Sequence, residues 1–342
     1  MIIRTSLPVS PMFFKHWHTD DTEIGVIVAK ARFAPNDAGV FEPVGAPPPL
    51  IVADSFEGDP ATGYLLAEQD IAPGKAATDL LINAVARAPG DKPLADWAVE
   101  VNIPDRLTYG FQVRGPCQWE RKLGRWRTSK PEPVREVPLT YALAYGGAAP
   151  GEDPEVPDIY EFNPSGIGYA NAARLAQKES FPACQIGELA EFIAADIRAE
   201  MSVHGFGPIA KAWLPRRSDA GTFDEEWQQT RHPRMPHDYG LRFWNCAPLS
   251  MQLNPHLRGD EAIQLTGLSH DAAPIKLQLP GAGLRLALSG EEERTIDMTL
   301  DTISADVRDT DPQAHTLDLV WRALIPDPGN YARADIAPYK VG

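Results

Sequence analysis

The chain has 342 residues, of which 43% are hydrophobic, so it can bury a large core as one domain or as two smaller ones. It has 47 acidic and 32 basic residues, and the formal net charge of −15 argues against a nucleic-acid binder, which needs a basic face. The same charge disfavours docking on an anionic membrane, and no apolar run is long enough to span a bilayer.

Cysteine content and the N-terminal sequence both indicate the cytoplasm. The chain has only three cysteines, Cys117, Cys184 and Cys246, and they lie far apart. A small odd number of separated cysteines is typical of free thiols in a reducing compartment. The first 21 residues lack the continuous apolar stretch and the small-residue cleavage site of a signal peptide. We therefore expect a cytoplasmic protein without a metal or cofactor.

The first half of the chain predicts β-strands that follow an N-terminal arm of residues 1–20. Residues 23–34 alternate Ile24, Val26 and Val28 with smaller or polar neighbours, as a half-buried strand does. Similar runs occupy residues 78–86, 97–103 and 107–113, with glycine or proline at most of the joins. This spacing favours an antiparallel sandwich or barrel over a parallel sheet with alternating helices.

Between residues 146 and 260 the strand pattern fades, and proline, glycine and acidic residues dominate. The exception is residues 185–201, where apolar side chains recur every three or four positions and predict an amphipathic helix. We expect this middle to be a long irregular segment, rich in Pro, Gly and Trp, with one or two short helices.

After residue 261 the alternation returns through residue 325. Leu317, Leu319 and Trp321 fall on one predicted face, and Asp318, Val320 and Arg322 fall on the other. Residues 326–342 are expected to form an irregular tail. The predicted fold is therefore mainly β, an antiparallel sandwich-like single domain over residues 21–325.

The irregular segment contains the candidate partner-binding residues. It is rich in tryptophan and arginine, the residue types enriched in binding hot spots. Its arginines either grip a partner's carboxylates or tie the loops to nearby acidic residues such as Asp219, Asp224 and Asp238, and the sequence favours neither role. The candidates are Trp213, Arg216, Arg217, Trp227 and Arg242.

Catalytic motifs are weak. His16 and His18 precede two aspartates, and His204, His232 and His237 lie among the aspartates of the irregular segment, but none has a fixed metal-ligand spacing. No nucleophile elbow occurs, and the GFGP at residues 205–208 has a proline where a phosphate-binding loop needs backbone donors. We expect these histidines and aspartates to bond loop backbone, and Cys246 to be a buried, inert thiol.

Several segments, taken together and in order, are similar to a known family. They are VIVAKARFA, QDIAPGK with Lys75 and TDLLINAVA with Asp79, PLTYALAYGG, NPSGIG, GFGPIAKAWLPR, GTFDEEW, RFWNCAP, LRGDEAIQLTGL, LDT and LVWRAL. They cover about residues 20–325. The chain resembles a bacterial domain-of-unknown-function family whose genes typically lie beside those of type VI secretion spike proteins.

The resemblance implies a non-enzymatic effector adaptor or chaperone. Such a protein binds a cognate effector toxin in the cytoplasm and helps load it onto the spike protein VgrG, whose C-terminal region is a second possible partner. Exposed strand edges suggest that a partner strand is added to a sheet. The alternatives are a metal-dependent hydrolase that uses the His/Asp-rich loops, and a structural secretion component.

Overall fold

A computed structural model describes residues 1–153 and 155–341. The described residues form 27 strands. In the first half these are β1 (Ile2–Thr5), β2 (Ser10–Trp17), β3 (Glu23–Pro35), β4 (Phe41–Pro43), β5 (Ser55–Phe56), β6 (Leu65–Ala67), β7 (Thr78–Asn83), β8 (Val85–Arg87), β9 (Asp96–Ile103), β10 (Leu107–Arg114), β11 (Gln118–Lys122), β12 (Arg125–Thr128), β13 (Glu136–Pro138), β14 (Tyr145–Gly146), β15 (Ala148–Ala149), β16 (Asp158–Ile159) and β17 (Ile167–Gly168).

The second half contains ten strands and the described part of the chain has three α-helices, each of six residues. They are α1 (Ala172–Gln177), β18 (Phe181–Pro182), β19 (Ile186–Gly187), α2 (Leu189–Ala194), α3 (Glu225–Thr230), β20 (Gln252–Leu253), β21 (Ala262–Thr266), β22 (Ile275–Gln278), β23 (Ala282–Gly290), β24 (Glu293–Asp297), β25 (Thr299–Asp306), β26 (Thr316–Pro326) and β27 (Tyr331–Lys340).

Three larger sheets organise the molecule. A seven-stranded sheet has the order β2-β3-β26-β25-β7-β20, with β4 paired to β3; a five-stranded sheet has the order β19-β10-β9-β21-β22; and a four-stranded sheet has the order β1-β27-β23-β24. Most pairs are antiparallel, and the exceptions in these sheets are β25 with β7 and β1 with β27. The predicted mainly β fold with few short helices is confirmed.

One hydrophobic core joins these sheets. It contains Leu319 from the seven-stranded sheet, Val101 from the five-stranded sheet and Leu286 from the four-stranded sheet, each with essentially no exposed surface. The predicted face of Leu317, Leu319 and Trp321 lies in this core. Each sheet buries its apolar side against the others, because alternate side chains of a strand point to opposite faces.

The strand β3 is buried more completely than the sequence predicts. Val26, Ile27, Val28 and Ala29 are all fully buried, so the prediction of a half-buried strand is wrong. The core covers one face, whereas side chains of the irregular segments, including Ile51, Pro208 and Cys246, lie over the other face of this sheet. Burial on both faces favours a continuous apolar run over strict alternation.

Both ends of the chain belong to sheets. The segment expected as an N-terminal arm contains β1, which pairs with β27, and β2, which pairs with β3. The prediction of an irregular C-terminal tail is wrong, since β27 runs between β1 and β23; Gly342 lies outside the described residues. The terminal strand gains its hydrogen bonds from partners distant in sequence, which local patterns do not reveal.

The predicted helix over residues 185–201 is wrong in extent. Residues 186–187 form β19, and only Leu189–Ala194 are helical. The helix begins after Glu188, whose backbone N–H points to the Glu191 carboxylate at 3.4 Å, and Leu189 and Ile193 are 51% and 74% exposed. The apolar periodicity therefore does not mark a face that packs on the core.

The irregular middle is held by side chains that bond to its backbone. The buried Asn163 amide donates to the carbonyls of Tyr141 and Tyr145 at 2.9 and 3.0 Å. Gly146, at φ 146°, packs so closely here that a Cβ would lie 2.2 Å from the Asn163 carbonyl oxygen. Arg114 similarly donates to the Cys184 carbonyl at 2.9 Å. Such bonds replace the ladder that two-residue strands cannot provide.

Candidate functional site

Two of the five candidate partner-binding residues lie in the core. Trp213 is 2% exposed and its ring meets that of Tyr141 edge-on, 5.6 Å between centroids. Arg216 is 4% exposed and donates to both carboxylate oxygens of Glu68, at 2.9 and 2.7 Å, and to the carbonyl of Phe243. The predicted contact role of Trp213 is therefore corrected to a structural one, whereas Arg216 is held inside the protein but also lines a surface depression together with Arg242.

The other three candidates reach the surface. Arg217 pairs with Glu161 at 2.7 Å while about half of its side chain stays exposed. Trp227 is half-buried; its Nε1–H donates to the Arg234 carbonyl at 2.9 Å. Arg242 is exposed. These three residues remain available for recognition.

Several arginines of this segment have the loop-tying role, one of the two roles that the sequence left open. Arg231 is buried and pairs with Asp21, which Arg234 also contacts at 2.9 Å. Their acidic partners, like Glu68 for Arg216, come from the N-terminal quarter of the chain and not from the neighbouring aspartates that the sequence suggested. Asp224 and Asp238 instead accept from the backbone N–H groups of Trp227 and Thr222.

An open apolar groove of about 400 Å³ lies on the surface, and its lining includes Leu214 and Pro215, which directly precede Arg216. Phe162 and Leu249 both line it, and they are 40% and 51% exposed. The groove continues into a depression of about 230 Å³ that Arg242 and Asp219 line. The apolar groove is defined by Tyr160, Phe162, Leu214, Pro215, Pro248 and Leu249.

His204 forms part of the wall of the apolar groove. Its ring stacks on Tyr109, and its Nδ1 lies 3.1 Å from the Tyr109 hydroxyl. Burial lowers the pKa of His204, against the opposing influence of Glu188, whose carboxylate lies 3.6 Å from Nε2. Burial also raises the pKa of Tyr109 to about 12. At neutral pH both rings are uncharged, which suits an apolar surface.

The histidines considered for hydrolysis lie at separate places. His232 packs against Trp227, at 5.3 Å between ring centroids, and His237 contacts the Thr19 carbonyl and Arg231. Among the residues that the structure describes, no group of three or more His, Cys, Asp or Glu side chains is arranged to hold a metal ion. No described helix is long and apolar enough to cross a membrane.

A buried ionic cluster ties the middle segment to the seven-stranded sheet. Asp79, fully buried on β7, accepts from Lys75 at 2.8 Å, from the Asn245 amide and from the backbone N–H groups of Cys246 and Ala247. Burial by itself lowers the pKa of Lys75, but Asp79, with Cys246 and Asp301, raises it above the usual value. This lysine therefore stays charged and acts as a structural cation.

The same cluster continues to β25 and β26. Lys75 also donates to the Thr302 hydroxyl at 2.8 Å, and Arg322 donates to Asp301 at 2.5 Å and to the Ala72 carbonyl at 2.7 Å. Cys246 is buried as predicted, and burial raises the pKa of its thiol well above the usual value. Five of the segments that carry the family resemblance thus meet here: QDIAPGK, TDLLINAVA, RFWNCAP, LDT and LVWRAL.

Sequence reasoning selected Lys75 and Asp79 without finding their role. Their i, i+4 spacing was visible, but their partners lie 166 to 227 positions further along the chain. The pairing of β7 with β25 places Thr302 opposite Asp79, and the loop that contains Asn245 folds over the same place. The apolar groove was missed as well, because its exposed side chains come from several separate loops.

Together these features define a mainly β protein with an interlocked ionic cluster on its largest sheet and an apolar groove on its surface. The chain belongs to the bacterial family described as "uncharacterized protein conserved in bacteria" (DUF2169), which it matches over residues 20–322. Comparisons with curated proteins and with solved structures gave no match.

Proposed function

We propose that this protein is a non-enzymatic adaptor of type VI secretion that binds a cognate effector toxin in the cytoplasm. It holds the toxin and helps load it onto the spike protein VgrG, whose C-terminal region is the second partner. The observation that carries the proposal is the apolar groove, in which Phe162 and Leu249 are exposed, together with the adjoining depression that Arg242 lines. Large exposed apolar side chains next to arginines are the residue pattern of a protein-binding surface.

The occupant of the apolar groove is an extended apolar segment of the effector flanked by basic residues. The groove is long and open, because the depression that Arg242 lines adjoins it through Ile209, Pro215 and Leu249. An extended segment fits this shape better than a compact side-chain cluster. The net charge of −15, with Glu200 exposed at the groove, favours basic flanks on the partner.

Two of the strand edges that the sequence suggested for partner binding, β22 and β24, are less suitable, whereas the outer strand β2 has eight residues. The outer strands β22 and β24 have only four and five residues. On β24, Glu293 and Arg294 are exposed charges, a common means of preventing strand addition at an edge. The apolar groove therefore supports the adaptor role better than these edges do.

The test measures binding of the purified chain to the effector toxin encoded beside it, by titration calorimetry. Leu249→Asp places a charge in the groove and should weaken binding about 100-fold, the effect of losing a hot-spot side chain. Leu324→Asp is the matched control, because Leu324 is similarly exposed, at 42% against 51%, and lies outside the groove. Both variants should keep the wild-type melting temperature.

Salt dependence supplies a second measurement. Binding should become weaker as ionic strength rises, since charge attraction between an acidic protein and a basic segment is screened. Equal loss of affinity in both leucine variants would remove the groove from the proposal. Failure of the wild-type chain to bind either the toxin or VgrG would refute the adaptor role itself.

A further inference from the structure

The second face of the seven-stranded sheet is polar although it is covered. Strand register aligns Lys30 opposite Val320, Val320 opposite Thr302, and Thr302 opposite Asp79, so these residues form one row across four strands. The next row contains Arg32, Asp318 and Ser304. A covered sheet face with this many charged side chains needs hydrogen-bonding partners for all of them.

A cavity of about 180 Å³ lies over this face. Lys30, Thr302 and Arg322 line it from the sheet, and residues of the loop that contains Glu68 and Asp70 line it from the other side. Leu66, 44% exposed, also lines it and marks its solvent side. The volume equals the share of about six water molecules in the liquid, so a small molecule fits but a drug-sized one does not.

The cations around this cavity have more hydrogen-bond donors than the protein uses. An ammonium carries three donors and a guanidinium five. Lys30 is 5% exposed and its Nζ makes one bond, to Asp70 at 3.1 Å. Arg322 is 4% exposed; its Nε and Nη1 are bonded, but its buried Nη2 has no acceptor among the described protein atoms.

The carboxylates that line the cavity already have donors of their own: Glu68 accepts from Arg216, Asp70 from Lys30 and the Ile51 N–H, and Asp318 from Arg32. The carboxylates below the cavity are engaged as well. Asp79 accepts from Lys75, Asn245 and two backbone N–H groups. Asp301 accepts from Thr302 and Arg322. The groups left without a partner are therefore N–H donors of Lys30 and Arg322. A molecule that bonds to them must carry several hydrogen-bond acceptors.

We propose that this cavity is a binding site for a small oxyanion, a carboxylate or a phosphate. Lys30, Lys75 and Arg322 each keep one carboxylate partner, so the cluster is close to neutral before the guest enters. The oxyanion accepts from the free donors of Lys30 and from Arg322, whose guanidinium matches oxyanion geometry. This inference is independent of the effector-binding proposal.

The experiment follows the melting temperature and the heat of binding when potassium acetate or potassium phosphate is added, with potassium chloride at equal ionic strength as reference. Saturable binding and a rise in melting temperature with one of the two oxyanions are expected, and the two salts distinguish a carboxylate site from a phosphate site. Equal response to all three salts would mean that ordered water fills the cavity, and would overturn the proposal.

Two variants locate the site. Leu66→Trp closes the solvent side without removing a charge, and Lys30→Met removes a donor at similar volume; each should weaken the oxyanion at least about tenfold. Lys15→Met is the matched control, because Lys15 pairs with Glu23 on an exposed part of β2. If Lys30→Met fails to fold, the oxyanion affinity of Leu66→Trp alone decides whether the cavity is the binding site. Unchanged binding in Leu66→Trp would place the anion elsewhere on the molecule and refute the site.

Discussion

The seven-stranded sheet and the middle segment hold their backbones in different ways. In the sheet, β3 and β26 pair continuously from Phe33 opposite Leu317 to Ile24 opposite Pro326. The middle segment is held by single polar side chains that bond loop backbone, namely its own Asn163 and Arg216 and, from β7, Asp79. In the sheet, many similar backbone hydrogen bonds share the stabilisation. In the middle segment, one side chain bonds to several backbone groups at once. Loss of one anchor should therefore release a whole stretch of loop.

The largest expected effect is at Asp79, where the two regions meet. Asp79→Asn leaves Lys75 as an unpaired buried charge and weakens the bonds to residues 245–247, and should destabilise the protein by about 3–5 kcal/mol. Urea unfolding measures this. Asp297→Asn is the control, since Asp297 forms an exposed pair with Arg285 and such pairs contribute little. Equal stability of both variants would contradict the anchor role.

The second-largest loss of stability is expected in the core of the seven-stranded sheet. Leu319→Ala removes a fully buried side chain of β26 from the core and should destabilise the protein by about 2–5 kcal/mol through lost burial and the cavity left behind. Calorimetric unfolding checks this, with Leu324→Ala on the same strand as an exposed control. A loss under 1 kcal/mol in Leu319→Ala, by the same scale, would show that the core rearranges easily.

A smaller effect is expected at Asn163. Asn163→Ala leaves the Tyr141 and Tyr145 carbonyls without their donor and should destabilise the protein by about 1–3 kcal/mol. Hydrogen exchange should show faster opening around residues 141–168 while β3 and β26 stay protected. Uniform acceleration over both regions would mean that the middle segment does not open separately.

The smallest effect is the pH dependence of stability. Burial lowers the pKa of His204 below 6.5, so the unfolded chain takes up the proton first as the pH falls. The contribution of neutral His204 is fully present above pH 6.5 and is lost as the pH decreases from there through the folded pKa. Compared with the wild type, the melting temperature of His204→Gln should fall less steeply as the pH decreases below 6.5. A slope identical to the wild type would assign this pH dependence to other groups, such as His16, whose pKa burial also lowers.

The candidate site shows how far sequence reasoning extends. Tryptophan and arginine in an irregular segment predicted a binding region, and Arg217, Trp227 and Arg242 do reach the surface there. The same pattern could not separate them from Trp213 and Arg216, since an aromatic ring or a guanidinium serves a core and an interface equally well. Burial depends on which loop lies above a side chain, and that is a property of the whole fold.

What the sequence by itself determined is the mainly β class and the strands with clear alternation, β9, β10, β21 and β26, because period-two burial is a local property of the chain. The strand β27, the short extent of α2 and the ionic cluster around Asp79 were decided by the tertiary structure. Each of these features depends on residues more than a hundred positions away in the sequence, or on whether another segment packs over it. Such long-range contacts leave no pattern in the local sequence.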